Sequence, residues 1–407
     1  MMAEWKTIKV GDIGQIITGK TPKTSNSSYY GGIIPFLTPS DDMSVKYVRE
    51  TKKSITEDGR LSVKNATLPA NAVCVSCIGS DLGKVVITTE RTVTNQQINS
   101  IVINEDNYDI DYIYYAMVEL GKILNFHSKT STAVPIVNKS SFSQYELKCP
   151  PLEIQKKIGK LLSSIDSKIE ENERINNNLE QQAKVLFKSW FIDFEPFGGV
   201  QPPEMKFIPL QELCKVVTKG TTPTTLGKPF TSSGINFIKA ESILDNHSID
   251  SSKFAFVDEE TNALLKRSVI KANDIVFTIA GTLGRFAMVD NTVLPANTNQ
   301  AVAIIRPDEN KVTPSYLYSF FIGNWHNEYY SKRIQQAVQA NLSLTTIKSL
   351  PIAVLSNATM NNYNELVSPL FALMKSNEEE NRRLSELRDT LLPKLMSGEL
   401  DVSTINL

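Results

Sequence analysis

Apolar residues recur at every seventh position in a long segment near the middle of the chain. The positions are Ile158, Ile165, Asn172, Leu179 and Leu186. This spacing is typical of a helix that buries a narrow stripe against another helix, and an asparagine within the stripe fixes the register of the pair. Two prolines precede the segment, and proline favours the first turn of a helix. The pattern predicts a long helix over 151–195.

The same stripe returns in the last part of the chain, at an offset of 205 residues. Its members are Tyr363, Leu370, Asn377, Leu384 and Leu391, so the asparagine recurs in the same place. The matched phase predicts a second long helix over 356–398, which begins near Asn357 and has Pro393 kinking or ending its last turn. We expect the two helices to pack on each other as an antiparallel coiled coil. The alternative is that each packs on its own neighbouring domain.

Shorter segments ahead of each helix have the composition of β-strands. Residues 72–78 and 274–279 are rich in β-branched and apolar side chains and end at glycine. Residues 97–103 predict another strand, and apolar residues at helical spacing predict a helix over 111–126. Each half of the chain is therefore expected to contain a mixed α/β domain.

The two halves repeat one another at an offset that stays between 201 and 205 residues. The clearest matches are Gly19-Lys20-Thr21-Pro22 with Gly220-Thr221-Thr222-Pro223, Gly83-Lys84 with Gly284-Arg285, and Thr94-Asn95-Gln96 with Thr298-Asn299-Gln300. A repeat of this length is a duplicated domain rather than a solenoid unit. The sequence predicts an α+β protein with one domain over 1–150, a linker over 196–206, a second domain over 207–355 and a tail over 399–407.

Composition changes this picture little. The net charge is −1, so the chain as a whole is not basic, although a charged face can lie within a neutral total. No apolar run approaches the ~20 residues that span a bilayer, and the first residues lack the pattern of a signal peptide. Four cysteines in 407 residues do not form a disulfide framework. The protein is expected to be cytoplasmic.

Residues with catalytic or metal-binding potential have simpler interpretations. Cys74 and Cys77 have C-x-x-C spacing, but Val276 and Ile279 replace them in the repeat, which indicates a buried strand. The glycine turn before Lys84 is one residue too short for a phosphate loop, and it either presents a cation to a phosphate or is a plain hairpin. The remaining candidates match no repeated pair and are expected to be structural or surface residues: His127, His247 and His326.

An enzyme is the alternative from a different functional class. Asp193, Glu204 and Lys206 could form the triad of a metal-dependent nuclease, but they straddle a proline-rich linker in which rigid metal geometry is not expected. The chain has neither a methyltransferase motif nor a dinucleotide-binding loop.

The duplicated order, in which a G-x-T-P loop is followed by a heptad helix, resembles the specificity subunits of Type I restriction–modification systems. Residues 150–158 (PPLEIQKKI) and 391–400 (LLPKLMSGEL) are similar to the helical conserved regions of that family. The second helix departs from the pattern, because it is entered through 351–354 (PIAV) without the Pro-Pro-Leu phrase. The likeness covers essentially the whole chain.

This resemblance implies a non-catalytic subunit that recognises double-stranded DNA. Each domain would be a target-recognition domain that reads one half of an asymmetric, bipartite site, while the helices set the spacer and dock two methyltransferase subunits. Two restriction and translocation subunits would complete the complex. The chain itself would bind no cofactor or metal, since S-adenosylmethionine, ATP and magnesium would belong to the partners. A coiled-coil scaffold that binds only protein is the third interpretation.

The side chains expected to contact DNA are polar or charged and lie on loops of both domains, because base edges specify sequence while phosphate contacts hold the register. In the first domain they are Lys20, Thr21, Lys23, Thr24, Ser25, Asn26, Thr38, Ser40, Lys84, Lys129, Thr130 and Ser131. In the second domain they are Thr221, Thr222, Thr224, Thr225, Lys228, Lys239, Glu241, Arg285, Arg333, Gln336 and Asn341.

Overall fold

A computed structural model describes residues 5–130, 136–327, 329–330 and 341–403, with the backbone alone at residue 80 and over 127–130. The elements of the first half are β1 (Lys6–Lys9), β2 (Gly14–Thr18), β3 (Tyr30–Leu37), β4 (Tyr47–Val48), β5 (Ser54–Ile55), α1 (Glu57–Ser62), β6 (Thr67–Leu68), β7 (Val73–Ser76), β8 (Val85–Thr88), β9 (Thr92–Thr94), β10 (Ile98–Ile103), α2 (Ile110–Thr130), α3 (Lys139–Gln144), β11 (Glu146–Cys149) and α4 (Leu152–Phe191). Those of the second half are β12 (Lys206–Pro209), β13 (Cys214–Lys219), β14 (Ile235–Ile238), β15 (Ala255–Val257), α5 (Glu259–Leu264), β16 (Ile275–Thr278), β17 (Phe286–Met288), β18 (Ala296–Thr298), β19 (Val302–Pro307), α6 (Pro314–Ile322), α7 (Leu344–Lys348), β20 (Pro351–Val354) and α8 (Asn357–Ser397).

The chain forms two compact units that share the long helices. The first unit comprises residues 1–171 and 380–407, and the second comprises 172–379. Each unit therefore combines one α/β domain with half of α4 and half of α8. This division differs from the predicted boundaries, which treat the helices as separate spacers, because each half-helix packs into the core of the domain beside it.

In the first unit the central sheet has the order β2-β10-β7-β8-β4, and a smaller sheet has the order β5-β3-β9-β6. All four residues of β7 are buried, because both faces of the strand are covered. Val73 and Val75 face a core that includes α2, whereas Cys74 faces a second core that includes Leu37. The prediction of a fully buried strand at this position is confirmed.

The second unit repeats this arrangement with sheets β13-β19-β16-β17 and β15-β14-β18. Strand β16 is the counterpart of β7 and is again buried throughout. Ile275 and Phe277 face a core that includes α6, and Val276 faces a core with Val302 and Ile304. The predicted α+β fold with two tandem mixed domains is confirmed.

In the first unit the early turns of α4 pack on the late turns of α8. Ile158 and Leu162 lie in one buried cluster with Leu392 and Leu395, together with side chains of the neighbouring domain. Asn381 Nδ2 donates a hydrogen bond to the backbone oxygen of Ile169 at 3.4 Å. Residue numbers fall along α8 as they rise along α4, so the helices run antiparallel within this unit.

In the second unit the late turns of α4 pack on the early turns of α8. Asn176 Nδ2 donates to the backbone oxygen of Met374 at 3.1 Å, and Asn377 Nδ2 donates to Asn176 Oδ1 at 2.8 Å. Asn176 and Met374 are the repeat equivalents of Asn381 and Ile169. The duplicated sequence therefore makes the same asparagine-to-carbonyl contact once in each unit.

None of the ten residues of the heptad stripe is exposed. Six are buried and four are half-buried, and the buried ones are Ile158, Ile165, Asn172, Leu179, Tyr363 and Asn377. The half-buried ones are Leu186, Leu370, Leu384 and Leu391. The Tyr363 ring lies 5.0 Å from that of Phe191 on α4 and 5.9 Å from that of Tyr316 on α6. The helices thus pack on each other and on a domain at once, so the two interpretations weighed from sequence are not exclusive.

The ends of α8 differ in detail from the sequence expectation. Ser356 caps the helix, because its Oγ accepts a hydrogen bond from the Thr359 backbone N–H at 3.3 Å, so Asn357 is the first helical residue rather than the cap. The helix continues through Pro393 to Ser397 and ends at Gly398, whose φ is 79°. Pro393 does not end the helix.

Removing one member of the asparagine pair should destabilise the second unit. We expect Asn377→Ala to lower its stability by about 1–2 kcal/mol, because Asn176 Oδ1 loses its donor inside the seam. Replacing both Asn176 and Asn377 by leucine should recover most of that loss, since neither member of the bond is then left without the other. The midpoint of urea unfolding measures both effects. The exposed Asn361→Ala on the same helix is the control, and equal losses in the single and double variants would contradict this account.

Candidate nucleic-acid interface

One end of the central sheet in the first unit gathers the loops that were predicted to contact DNA. Thr18 lies opposite Asn99 and Ser76 lies opposite Ile98 in the strand register. Because β10 is antiparallel to both neighbours, the loop after β2, the turn before β10 and the loop after β7 leave the sheet at the same end. We call this end of the sheet the loop edge.

The G-x-T-P loop is fastened to the Thr94-Asn95-Gln96 turn at the loop edge. The Lys20 backbone N–H donates to the Thr94 oxygen at 2.8 Å, and Thr21 Oγ1 donates to Gln96 Oε1 at 2.7 Å. Gly19 is required here, because a Cβ at this position would lie 2.0 Å from the Asn95 carbonyl oxygen. The two repeated motifs therefore form one structural element.

The second unit makes the same attachment at its own loop edge. Thr222 Oγ1 donates to Gln300 Oε1, and a Cβ on Gly220 would lie 1.9 Å from the Thr298 carbonyl oxygen. The Gly220 N–H donates to the Val302 oxygen at 3.4 Å. The sequence repeat thus preserves the device that holds the loop in place.

The side chains that this device presents in the first unit are mostly exposed. Lys20, Lys23, Thr24 and Ser25 are open to solvent, and neither lysine forms an ion pair with any residue that the structure describes. Asn26 instead uses its side-chain oxygen to accept from the Ser28 backbone at 3.2 Å. The loop therefore offers two available cations and several hydroxyl groups.

Thr38 and Ser40 reach the same edge from β3. Leu37 lies beside Thr94 in a parallel pair, so the chain that follows β3 emerges next to the Thr94-Asn95-Gln96 turn. The Thr38 hydroxyl donates to buried Asp41 at 2.9 Å and is 2.7 Å from Ser40 Oγ. These two hydroxyl groups stabilise the turn that follows β3, and this turn lies next to the loop edge.

The two cations predicted on glycine turns are each paired with a carboxylate. Lys84 Nζ lies 2.7 Å from Asp81, and Arg285 makes two hydrogen bonds of 2.6 Å to Asp245. Spacing along the chain could not reveal the second pair, because Arg285 and Asp245 are 40 residues apart. Both cations lie at the loop edge, but neither is unpaired there.

The other predicted residues of the second unit are also engaged within the unit. Lys228 pairs with Glu260 at 2.7 Å, and Lys239 pairs with Glu241. Thr225 donates to the Thr222 oxygen at 2.7 Å. The remaining loop residue, Thr224, is exposed. The second loop edge therefore presents hydroxyl groups and ion pairs in which the carboxylate is exposed and the cation is half-buried.

Some predicted residues cannot be placed. Ser131, Arg333 and Gln336 lie outside the described residues, and only the backbone of Lys129 and Thr130 is described, at the end of α2. Asn341 is exposed, and the N–H of the next residue, Leu342, donates to the Ile279 oxygen after β16 at 2.9 Å. The equivalent bond in the first unit joins Val137 to Cys77, also at 2.9 Å. Val137 and Leu342 are thus anchored next to the loop edges of their units.

Arg267 is a candidate that sequence reasoning missed. Its guanidinium donates to Thr221 Oγ1 at 3.2 Å, and its side chain is exposed beside the G-x-T-P loop of the second unit. The repeat offered a signal, because Lys64-Asn65 in the first half aligns with Lys266-Arg267 in the second. Arg267 therefore adds an exposed cation to the loop edge of the second unit.

The cysteine and histidine side chains with catalytic potential that the structure describes are buried or half-buried. Cys74 and Cys77 are buried, and burial raises the pKa of the Cys74 thiol to about 12. His326 is enclosed by aromatic rings, and burial lowers its pKa to about 3. His247 stacks on Phe286 with 4.1 Å between ring centroids. Their positions assign these side chains to packing, while the side chain of His127 is not described.

The nuclease alternative gains no support from the structure. Asp193 forms an ion pair with Lys188 at the end of α4. Within the described residues, no group of three or more His, Cys, Asp or Glu side chains is placed to hold a metal ion. Likewise, none of the helices described is both long enough and apolar enough to cross a membrane.

Comparison with known proteins assigns the family. The model of the Type I restriction modification DNA specificity domain matches twice, over residues 2–181 and 202–380. The chain belongs to this family. The double match agrees with the repeat, and the resemblance predicted from sequence is confirmed. A protein of the DNA specificity family recognises DNA and is not itself the catalytic subunit, so the comparisons favour neither the nuclease nor any other enzyme.

Two relatives in the family are similar to this chain over almost their whole length. The chain is 27% identical to the specificity subunit of the Type I restriction enzyme MjaIX from Methanocaldococcus jannaschii, covering 99% of this chain and 95% of the relative. It is 24% identical to the HindI specificity subunit from Haemophilus influenzae, covering 98% and 100%. A crystal structure of a Type I restriction–modification S subunit from M. genitalium has the same fold, with a TM-score of 0.59 and 15% identity over 97% of this chain and 96% of that one.

The glycine in the G-x-T-P loop should be sensitive to a single methyl group. We expect Gly220→Ala to destabilise the second unit by about 1–3 kcal/mol, because its Cβ would meet a backbone oxygen that cannot move aside. The loop should also become accessible to protease. Thermal unfolding and limited proteolysis measure the two effects, and Thr224→Ala in the same loop serves as the control. A neutral result for Gly220→Ala would mean that the loop is not held against the Thr298 turn.

Proposed function

We propose that this chain reads a split and asymmetric DNA site, with each domain contacting one half-site through its loop edge. The observation that supports the proposal is the repeated loop anchor, in which Thr21–Gln96 and Thr222–Gln300 fasten equivalent loops to equivalent turns. A fixed backbone that presents exposed polar side chains is what recognition of base edges and phosphates requires.

The two half-sites should differ, because the anchored loops present different side chains. Lys20 and Lys23 in the first loop correspond to Thr221 and Thr224 in the second. A lysine adds a charge that attracts phosphate, whereas a threonine offers one hydroxyl group and a methyl group. The two loops are anchored in the same way but carry different side chains. They are therefore expected to recognise different base sequences, which gives an asymmetric target.

Ion pairing in the second unit is compatible with DNA binding. The acidic partners of Lys228 and Arg285 are Glu260 and Asp245, whose side chains are 73% and 81% exposed. The Lys228 and Arg285 side chains are 30% and 25% exposed. Because the carboxylates are open to solvent, each pair contributes little to stability, and a phosphate oxygen can replace the carboxylate at small cost. These cations would then change partner when DNA binds.

The helices α4 and α8 would set the spacer between the half-sites and dock the partner subunits. As the family resemblance implies, we propose two methyltransferase subunits that use S-adenosylmethionine and two restriction subunits that use ATP and magnesium. This chain would bind no cofactor and would determine only the DNA sequence at which the complex acts. Recognition and chemistry are then divided between subunits.

Methylome sequencing tests the proposed function directly. Cells that contain this chain and its methyltransferase partner should show one bipartite motif with methylated adenine in each half, and cells that lack the chain should not. Deleting one heptad from the middle of both helices removes about 10 Å from each, which corresponds to roughly three base pairs. The methylated motif should keep its two halves and lose about three base pairs of spacer.

Two outcomes of methylome sequencing would contradict the proposal, and a DNA-binding assay gives a third. A single continuous motif would exclude two separate readers, and an unchanged spacer after the deletion would exclude the helices as the determinant of spacing. Absence of any DNA shift with the methyltransferase added would favour the protein-binding scaffold.

The two available lysines of the first loop should contribute through phosphate contacts. We expect Lys20→Ala with Lys23→Ala to weaken DNA binding by the assembled complex and to reduce the slope of log K against log salt by roughly 2, because each phosphate contact contributes about 1. The control variant removes exposed Lys6 and Lys148, which lie on β1 and β11 near the start of β2. A salt slope that falls equally in both variants would show only a general charge effect.

A further inference from the structure

A partly buried ion pair joins α4 to α8 in the first unit. Asp166 Oδ1 accepts from Arg388 Nη1 at 2.8 Å, and Asp166 Oδ2 accepts from the Tyr115 hydroxyl at 2.5 Å. The side chains of Asp166 and Arg388 are 17% and 30% exposed. The carboxylate therefore has one partner on the opposite helix and one on the domain beside it.

The repeat replaces this ion pair by an apolar contact in the second unit. At the helix offset of 205 residues, Asp166 corresponds to Phe371 and Arg388 corresponds to Ala183. Phe371 and Ala183 belong to one buried cluster, and Ala183 is fully buried. The Tyr318 ring lies 5.1 Å from the Phe371 ring on its domain side. The same helix–helix position is thus charged in one unit and apolar in the other.

This difference affects pairing between like helices. Two copies of α4 would place Asp166 against Ala183 of the other copy, so the carboxylate would lose its cation. Two copies of α8 would place Arg388 against Phe371, in a space that holds only an alanine methyl group in the second unit. A partly buried carboxylate without its counter-ion and an oversized side chain are both unfavourable.

The asparagine contacts cannot make this distinction. Asn176 to Met374 and Asn381 to Ile169 are repeat equivalents, so two copies of either helix could form the same bonds. Asparagine sets the register of the seam, whereas choice of partner needs a position at which the two helices differ.

We infer that the Asp166–Arg388 pair, with its apolar counterpart Phe371–Ala183, makes each long helix select the other helix of the repeat over a second copy of itself. Selection of this kind places one domain of each type on every pair of long helices. The inference goes beyond the proposed function, because it holds whichever bases the two domains recognise.

The linker between the halves allows a test on the complete protein. Gly198 and Gly199 have positive φ, a Cβ at either position would meet no atom within 4 Å, and Val200 is exposed. A protease site placed after Gly199 can therefore be cut in the folded chain, which leaves both halves present. Isotope-labelled and unlabelled nicked protein are mixed, and native mass spectrometry follows exchange of labelled halves and the composition of each pair.

Labelled halves should exchange into pairs of one N-terminal and one C-terminal half, with pairs of like halves at least about tenfold below the statistical share. Dilute urea is added, if needed, until exchange is seen. Arg388→Ala should remove the barrier to pairing between two copies of α8, because α8 then has an alanine at the position equivalent to Ala183 of α4. Pairs of C-terminal halves should then rise about tenfold.

Asp166→Leu should instead allow two copies of α4 to pair and give pairs of N-terminal halves. Either variant alone can therefore test the inference if the other does not fold. The matched control removes Lys168 and Glu380, which face each other across the same two helices at 3.3 Å but are about half exposed. Like pairs in the unsubstituted protein at their statistical share would overturn the inference. Unlike pairs alone in both Arg388→Ala and Asp166→Leu would also overturn it.

Discussion

A hydrogen bond from an asparagine side chain to a backbone carbonyl of the facing helix fixes the long helices in each unit. An apolar stripe alone would tolerate a slip by one heptad, because leucine and isoleucine contacts are similar at each step. A slip would cost Asn176 and Asn381 these bonds, since each half-buried amide would lose its acceptor on the facing helix. The positions of both domains on the helices depend on this register.

The structure of each domain allows the side chains proposed to contact DNA to vary while the fold is kept. Strands β7 and β16 are buried on both faces, so few substitutions are tolerated there. The loops at the end of the sheet are held by backbone contacts at Gly19 and Gly220 and by one threonine–glutamine bond. Side chains between these fixed points can change freely, and in the two halves they have done so.

The parts of the fold that depend on spacing within the chain could be predicted from the sequence. The heptad stripe, the duplicated order and the buried strands all belong to this class. Pairings between distant residues could not be predicted, and Arg285 with Asp245 is the plainest example. Arg267 was missed for a similar reason, because its role depends on proximity to Thr221 across 46 residues. The division of each long helix between the two units could not be predicted either, since a linear pattern does not show which half of a helix packs on which domain.

The division of the chain has a consequence for biosynthesis. The second unit is continuous over 172–379, whereas the first unit needs residues 380–407 as well as 1–171. During translation the domain that is made first must wait for the end of the chain, with Ile158 and Leu162 uncovered until Leu392 and Leu395 emerge. A chain that stops between residue 379 and Leu392 would thus complete its later domain and leave Ile158 and Leu162 of its earlier one uncovered, which directs such incomplete products toward aggregation or degradation.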